Sequence, residues 1–131
     1  MIENEIRDHL LGIIPDLKAI YIFGSFAKGE MTKDSDIDIG IISSLKLSPA
    51  TIFNTAQELA AILNRDVDLL DIEQVPLVMQ FQVISTGKNI YAKYPLELLE
   101  FETRITSMYQ RFNEERRFIV EEIVNSGKIL S

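Results

Sequence analysis

The chain has 131 residues, 47% hydrophobic and 25% charged, enough for a hydrophobic core and most simply one domain spanning residues 1–131. Twenty acids against 13 bases give a net charge of −7, which disfavours tight, nonspecific binding to a nucleic-acid backbone, and no sustained basic stripe offsets it. The chain lacks cysteine, an apolar run near the ~20 residues of a membrane span and a basic leader, so disulfides, thiolate chemistry, a transmembrane helix and a signal peptide are not expected, and a cytoplasmic location is.

Ile2, Ile6, Leu10, Ile13 and Ile14 recur at helical spacing and predict an opening amphipathic helix, ended by Pro15. His9, the only histidine, lies within it without nearby His or Cys partners and reads as a surface or packing residue rather than a zinc ligand. Ala19 to Phe23 predicts a strand, and Ile37 to Ile42 another. After a polar connection, Ser48 caps a helix begun by Pro49, with Ile52, Phe53, Ala56, Leu59, Ala60 and Leu63 on one face and a turn at Asn64-Arg65. Asp66 to Asp71 predicts a strand in which Asp66 and Asp68 share a face and Asp71 takes the other. Pro76 to Thr86 reads as a helix with Gly87 at its C-terminal cap, and Asn89 to Ala92 as a short edge strand. A last helix is expected from about Leu96 to about Asn125. Its Leu98, Phe101, Ile105, Met108, Phe112 and Ile119 follow heptad spacing, which Glu115 interrupts, and this seam either packs on its own domain or binds a partner.

The first two strands bracket the chemistry. Between them run Gly24-Ser25-Phe26-Ala27-Lys28-Gly29-Glu30 and Asp34-Ser35-Asp36-Ile37-Asp38-Ile39: a G-S pair, ten residues, then D-x-D. Gly24 allows a tight turn and close approach of a ligand to the backbone. Successive N–H groups there, with the Ser25 hydroxyl, suit an anion. Asp36 and Asp38 point to one face of their strand, and two hard oxygen ligands beside a phosphate cradle suit Mg²⁺ and phosphoryl or nucleotidyl transfer. Lys28, Lys33 and Lys46 lie in or near the segment; each is most simply a solvated loop lysine, although two of them could meet phosphates.

The G-S…D-x-D segment, each half at the end of an apolar strand, resembles the signature of the nucleotidyltransferase superfamily that includes DNA polymerase β. It looks most like the minimal members, the MNT proteins, often encoded beside HEPN-domain toxins. The resemblance covers residues 19 to 92 by motif and implies an α/β fold, a mixed sheet flanked by helices, extended here by the long C-terminal helix. It implies two Mg²⁺ held by Asp36 and Asp38, with Asp68 as third carboxylate, metal ligand and assistant in deprotonating the attacking hydroxyl; Asp66, on the same face, is the alternative to Asp68. The three catalytic carboxylates are expected to converge. Gly24, Ser25 and Lys28 would bind the triphosphate of ATP.

The reaction so implied is transfer of AMP from ATP to a tyrosine hydroxyl of a cognate HEPN ribonuclease toxin, which neutralises it. The partners are then that toxin and ATP, with no membrane, no stable nucleic-acid complex, and room for a homo-oligomer. Two alternatives stand beside this: an aminoglycoside-type nucleotidyltransferase acting on a small molecule, against which the short chain after Tyr94 counts, and a non-catalytic antitoxin acting by binding alone, against which the intact motif counts.

Overall fold

In the computed structural model, residues 2–25, 29 and 36–126 are described. The elements in order are α1 (Ile2–Ile13), β1 (Leu17–Phe23), β2 (Ile37–Ser43), α2 (Pro49–Leu63), β3 (Val67–Asp71), a 3₁₀ turn (Ile72–Gln74), α3 (Leu77–Thr86), β4 (Lys88–Ala92) and α4 (Pro95–Ser126). The strands form one mixed sheet in the order β3-β2-β1-β4, with β1 antiparallel to β2 and β4, and β2 parallel to β3. The α/β architecture expected from the sequence is the observed one. No helix among the described residues is long and apolar enough to cross a membrane.

The two inner strands read as continuous apolar runs because both faces of the sheet are covered. One face packs Ile20 and Ile22 of β1, Ile37, Ile39 and Ile41 of β2 and Leu69 of β3 against Ile6 and Leu10 of α1 and Ala56 and Leu59 of α2. The other packs Ala19, Tyr21, Phe23 and Ile42 against Ile72, Val83 of α3, and Phe101 and Ile105 of α4. A bulge between Leu17 and Ala19 turns Leu17 back to the first face. On the second face the Tyr21 hydroxyl, fully buried, donates to Glu102 Oε2 at 2.6 Å and ties α4 to the sheet.

Local signals hold at several ends. The Thr51 N–H donates to Ser48 Oγ at 3.1 Å, Pro49 opens α2, and Asn64 closes it in the left-handed region at φ 54°. Gly87 ends α3 in extended rather than left-handed backbone, so it is required for another reason: a Cβ there would meet the Val83 carbonyl oxygen and lie 3.3 Å from the Phe23 Cβ. His9 packs between helices with its Nε2 3.6 Å from Glu58 Oε2, a packing histidine as expected. Phe53 departs from the expected apolar face of α2 and is 63% exposed.

α4 divides in two. Its first half is core, carrying Phe101 and Ile105, and Tyr109 stacks on Phe81 of α3 with ring centroids 4.0 Å apart. Tyr109 is therefore internal packing rather than spare surface. From residue 110 to residue 125 every position is exposed, including Phe112, Phe118, Ile119 and Val124. That is about 24 Å of helix at 1.5 Å per residue. The packing reading of the seam thus holds over the first half of the helix, and the second half is left exposed.

Gly40 faces the 3₁₀ turn and α3, and a Cβ there would lie 2.9 Å from Ile72 Cγ1 and 3.2 Å from Val83 Cγ1. Gly40→Val should overpack this contact and destabilise the fold by about 1–3 kcal/mol, measured by denaturant melts, with Gly40→Ala costing less.

Candidate active site

The site lies where β1 ends and β2 and β3 begin. Phe23 is in register with Asp38, and Asp38 with Asp68, so the three stand abreast across β1, β2 and β3. Gly24 follows Phe23 directly. Phe23 belongs to the second face; Asp38 is two residues before Gly40, and Asp68 two before Leu70, both of which meet that face. The alternation of the strands therefore delivers both aspartates to one surface. Asp36 lies just before β2, exposed.

Gly24 has φ 72°, a conformation that favours glycine. A Cβ on it would collide with the Asp38 carboxylate at Oδ2. Glycine is thus needed both for the turn and for the room in which the carboxylate sits. Ser25, half-buried, continues the turn. Lys28 and Lys33 lie outside the described residues. Lys46, in the connection after β2, is exposed, and its charge acts on Asp71 rather than on Asp38. Asp71 is buried and its Oδ1 accepts the Glu73 N–H at 3.3 Å, which caps the 3₁₀ turn.

Burial first, then the charges of Asp68 and Asp36, push the Asp38 carboxyl above its ordinary range. Asp66 does not contribute. It lies ahead of β3, and its backbone carbonyl accepts the Ile37 N–H at 2.9 Å, joining the starts of the two strands. Asp68, not Asp66, is thus the carboxylate that β3 brings beside Asp38. The expected convergence is looser than a closed triad: among the described residues no three His, Cys, Asp or Glu side chains are gathered closely enough to hold a metal ion. The donor set still fits Mg²⁺. It is made of hard oxygens, it is half open, as suits an ion that keeps waters and substrate phosphates, and it holds one part-buried carboxylate between two like charges that a cation would neutralise. The contact of Gly24 with Asp38 has no signature in the spacing of the motif.

A raised acid is one whose proton the folded chain holds more tightly than the unfolded chain. The Asp38 contribution is therefore fully present below the ordinary value of 3.8 and lost as pH rises through the higher folded value. Asp38→Asn should raise the melting temperature in EDTA at neutral pH by a few degrees, and this advantage should fade on acidification to about pH 3–4. A variant less stable than wild type at neutral pH would instead give Asp38 a structural hydrogen-bonding role.

Comparisons with known proteins agree with this geometry. Residues 5–96 match the family model described as polymerase beta, nucleotidyltransferase. Protein adenylyltransferase MntA of Shewanella oneidensis is 35% identical over 122 residues, 93% of this chain and 87% of that protein. A chain from a crystal structure of a toxin-antitoxin with AMP-PNP superposes with a TM-score of 0.83 at 35% identity, covering 95% of this chain and 99% of that one. A structure of tri-AMPylated Shewanella oneidensis HEPN toxin in complex with MNT antitoxin gives a TM-score of 0.76 at 33% identity, with 94% and 96% covered. With the glycine-serine turn and the carboxylates Asp38 and Asp68 on adjoining strands, and this likeness across nearly its whole length, the chain belongs to the polymerase β-type nucleotidyltransferase family.

Proposed function

We propose that this protein is a Mg²⁺-dependent protein adenylyltransferase that transfers AMP from ATP to a tyrosine hydroxyl of a cognate HEPN ribonuclease toxin and thereby neutralises it. The observation that carries the reading is the row formed by the Gly24 turn, Asp38 and Asp68 across three adjacent strands. The likeness to MntA and to an MNT antitoxin in complex with an AMPylated HEPN toxin supports the acceptor.

In this reading the backbone N–H groups of the turn at Gly24 and Ser25, the Ser25 hydroxyl and Lys28 bind the triphosphate. Asp36, Asp38 and Asp68 would hold Mg²⁺, which when bound neutralises charge developing on the phosphates. Asp68, on the far side of Asp38 from the turn, stands where an acceptor hydroxyl would arrive and takes its proton. The hydroxyl oxygen then bonds to the α-phosphorus, the bond from that phosphorus to the bridging oxygen breaks, and pyrophosphate leaves. The exposed half of α4 supplies the docking face for the toxin: Phe112 and Ile119 continue the stripe that Phe101 and Ile105 begin, and they are exposed among the described residues. A homo-oligomer and a cytoplasmic location fit the reading without being required by it.

Asp36→Asn and Asp38→Asn should each lower AMP transfer to the toxin by at least about a hundredfold, read with labelled ATP and mass spectrometry of both proteins. Activity within about tenfold of wild type would remove the two carboxylates from the mechanism. Full neutralisation of the toxin by Asp38→Asn would favour inhibition by binding alone. Phe112→Asp should leave the circular dichroism melt unchanged and weaken the toxin complex by roughly tenfold or more in a titration.

A further inference from the structure

Among the described residues β3 is an edge strand: it pairs with β2 and has no strand on its other side. Peptide groups alternate along a strand, and the Asp66 carbonyl points toward β2, so those of Val67 and Leu69 turn to the open edge. Along that edge runs a groove of about 580 Å³, open to solvent, lined by Ile52, Phe53 and Ala56 of α2, Val67 and Asp68 of β3, and Val75 beyond the 3₁₀ turn. Phe53 stands in its wall, 63% exposed, although α2 otherwise buries its apolar face.

We propose that this groove receives an extended segment of the acceptor polypeptide, which lies along β3 and brings its tyrosine hydroxyl to Asp68. The inference rests on the nucleotidyl-transfer reading above and adds to it the place where the acceptor binds. Asp68 belongs both to the row of site residues and to the groove wall, so whatever occupies the groove reaches the carboxylate that takes the hydroxyl proton. The triphosphate cradle lies on the other side of Asp38, beyond β2, which leaves the groove to the acceptor rather than to the phosphates. An edge strand beside an apolar wall is what an added strand uses: main-chain hydrogen bonds to the edge, and alternate side chains against the wall. Lys46, Asp68 and Asp71 put charge into the lining, but the groove is long, open and mostly apolar, so the match is to a polypeptide with apolar residues near its tyrosine rather than to a compact small acceptor that needs enclosure.

The test uses full-length protein, the HEPN toxin and labelled ATP, with Phe53→Asp and Phe53→Leu. Phe53 is exposed and outside both hydrophobic core clusters, so both variants should fold, which a melt checks. Phe53→Asp should lower kcat/KM for AMP transfer by about tenfold or more, Phe53→Leu should stay within about threefold of wild type, and the rise in melting temperature given by Mg²⁺-ATP should match wild type in both. A kcat/KM for Phe53→Asp within about threefold of wild type overturns the proposal. Loss of the Mg²⁺-ATP shift in Phe53→Asp also overturns it, because the groove would then hold the nucleotide. If wild type itself labels no toxin, the transfer reading fails, and this inference with it.

Discussion

The register of β2 between its two neighbours is the constraint on which the rest depends. Ile37, Ile39 and Ile41 are completely buried against α1 and α2, so β2 cannot slip by one residue without moving three isoleucines to the opposite face. Asp38 lies between two of them and is thereby held on the other face, abreast of Phe23 and Asp68. The placement of Asp38 and Asp68 thus follows from apolar packing on the opposite face of the sheet. Such a scaffold can carry mutually repelling charges, because their repulsion acts against a whole core rather than against a loop.

Two glycines shape the surface around Asp38. Gly40, two residues further along β2, lets Ile72 and Val83 come down onto the sheet and close the interior end of this face. Gly24, just past the end of β1, leaves the space into which the Asp38 carboxylate fits. Asp38 is consequently too buried to be well hydrated and too near two like charges to ionise at its ordinary value. On the proposed reading a bound cation would relieve this condition, which fits a site where function rather than stability sets the residues.

Much of this was legible in the sequence because the signals are local. Hydrophobic period, caps and turn residues located the four helices and four strands of the described residues, and the paired motif located the turn and the D-x-D. What remained open depended on relations between elements. Whether Asp66 or Asp68 faces the site cannot follow from their parity, which is the same; it follows from where β3 begins beside β2, with the Asp66 carbonyl committed to Ile37. Gly87 caps α3 as its position suggested, while its close approach to the Ile22 carbonyl and the Phe23 Cβ of β1 is something only packing discloses. Phe53 follows helical spacing with residues that are buried, yet α2 extends to the sheet edge there, and among the described residues no strand lies beyond β3 to cover it. The heptad seam of α4 is uninterrupted from core to solvent through Phe112, so its periodicity could not show where the domain ends and the exposed helix begins.

That division of α4 bears on how recognition and chemistry are shared. The buried Tyr21–Glu102 hydrogen bond and the Phe81–Tyr109 stack anchor the first half rigidly to the sheet that carries Asp38. The second half continues the same helix away from the core. On the proposed reading, a toxin docked on that helix meets the site at a raised effective concentration, and delivery of its tyrosine becomes intramolecular. The groove beside β3 then has little affinity to supply. Its part is orientation, keeping the hydroxyl in line with the phosphorus, where a displacement of about 1 Å costs far more in rate than in binding. Wide, apolar and weakly selective contact on α4, with narrow geometric control at the edge of β3, is a division that a chain this short can build from one helix and one strand edge.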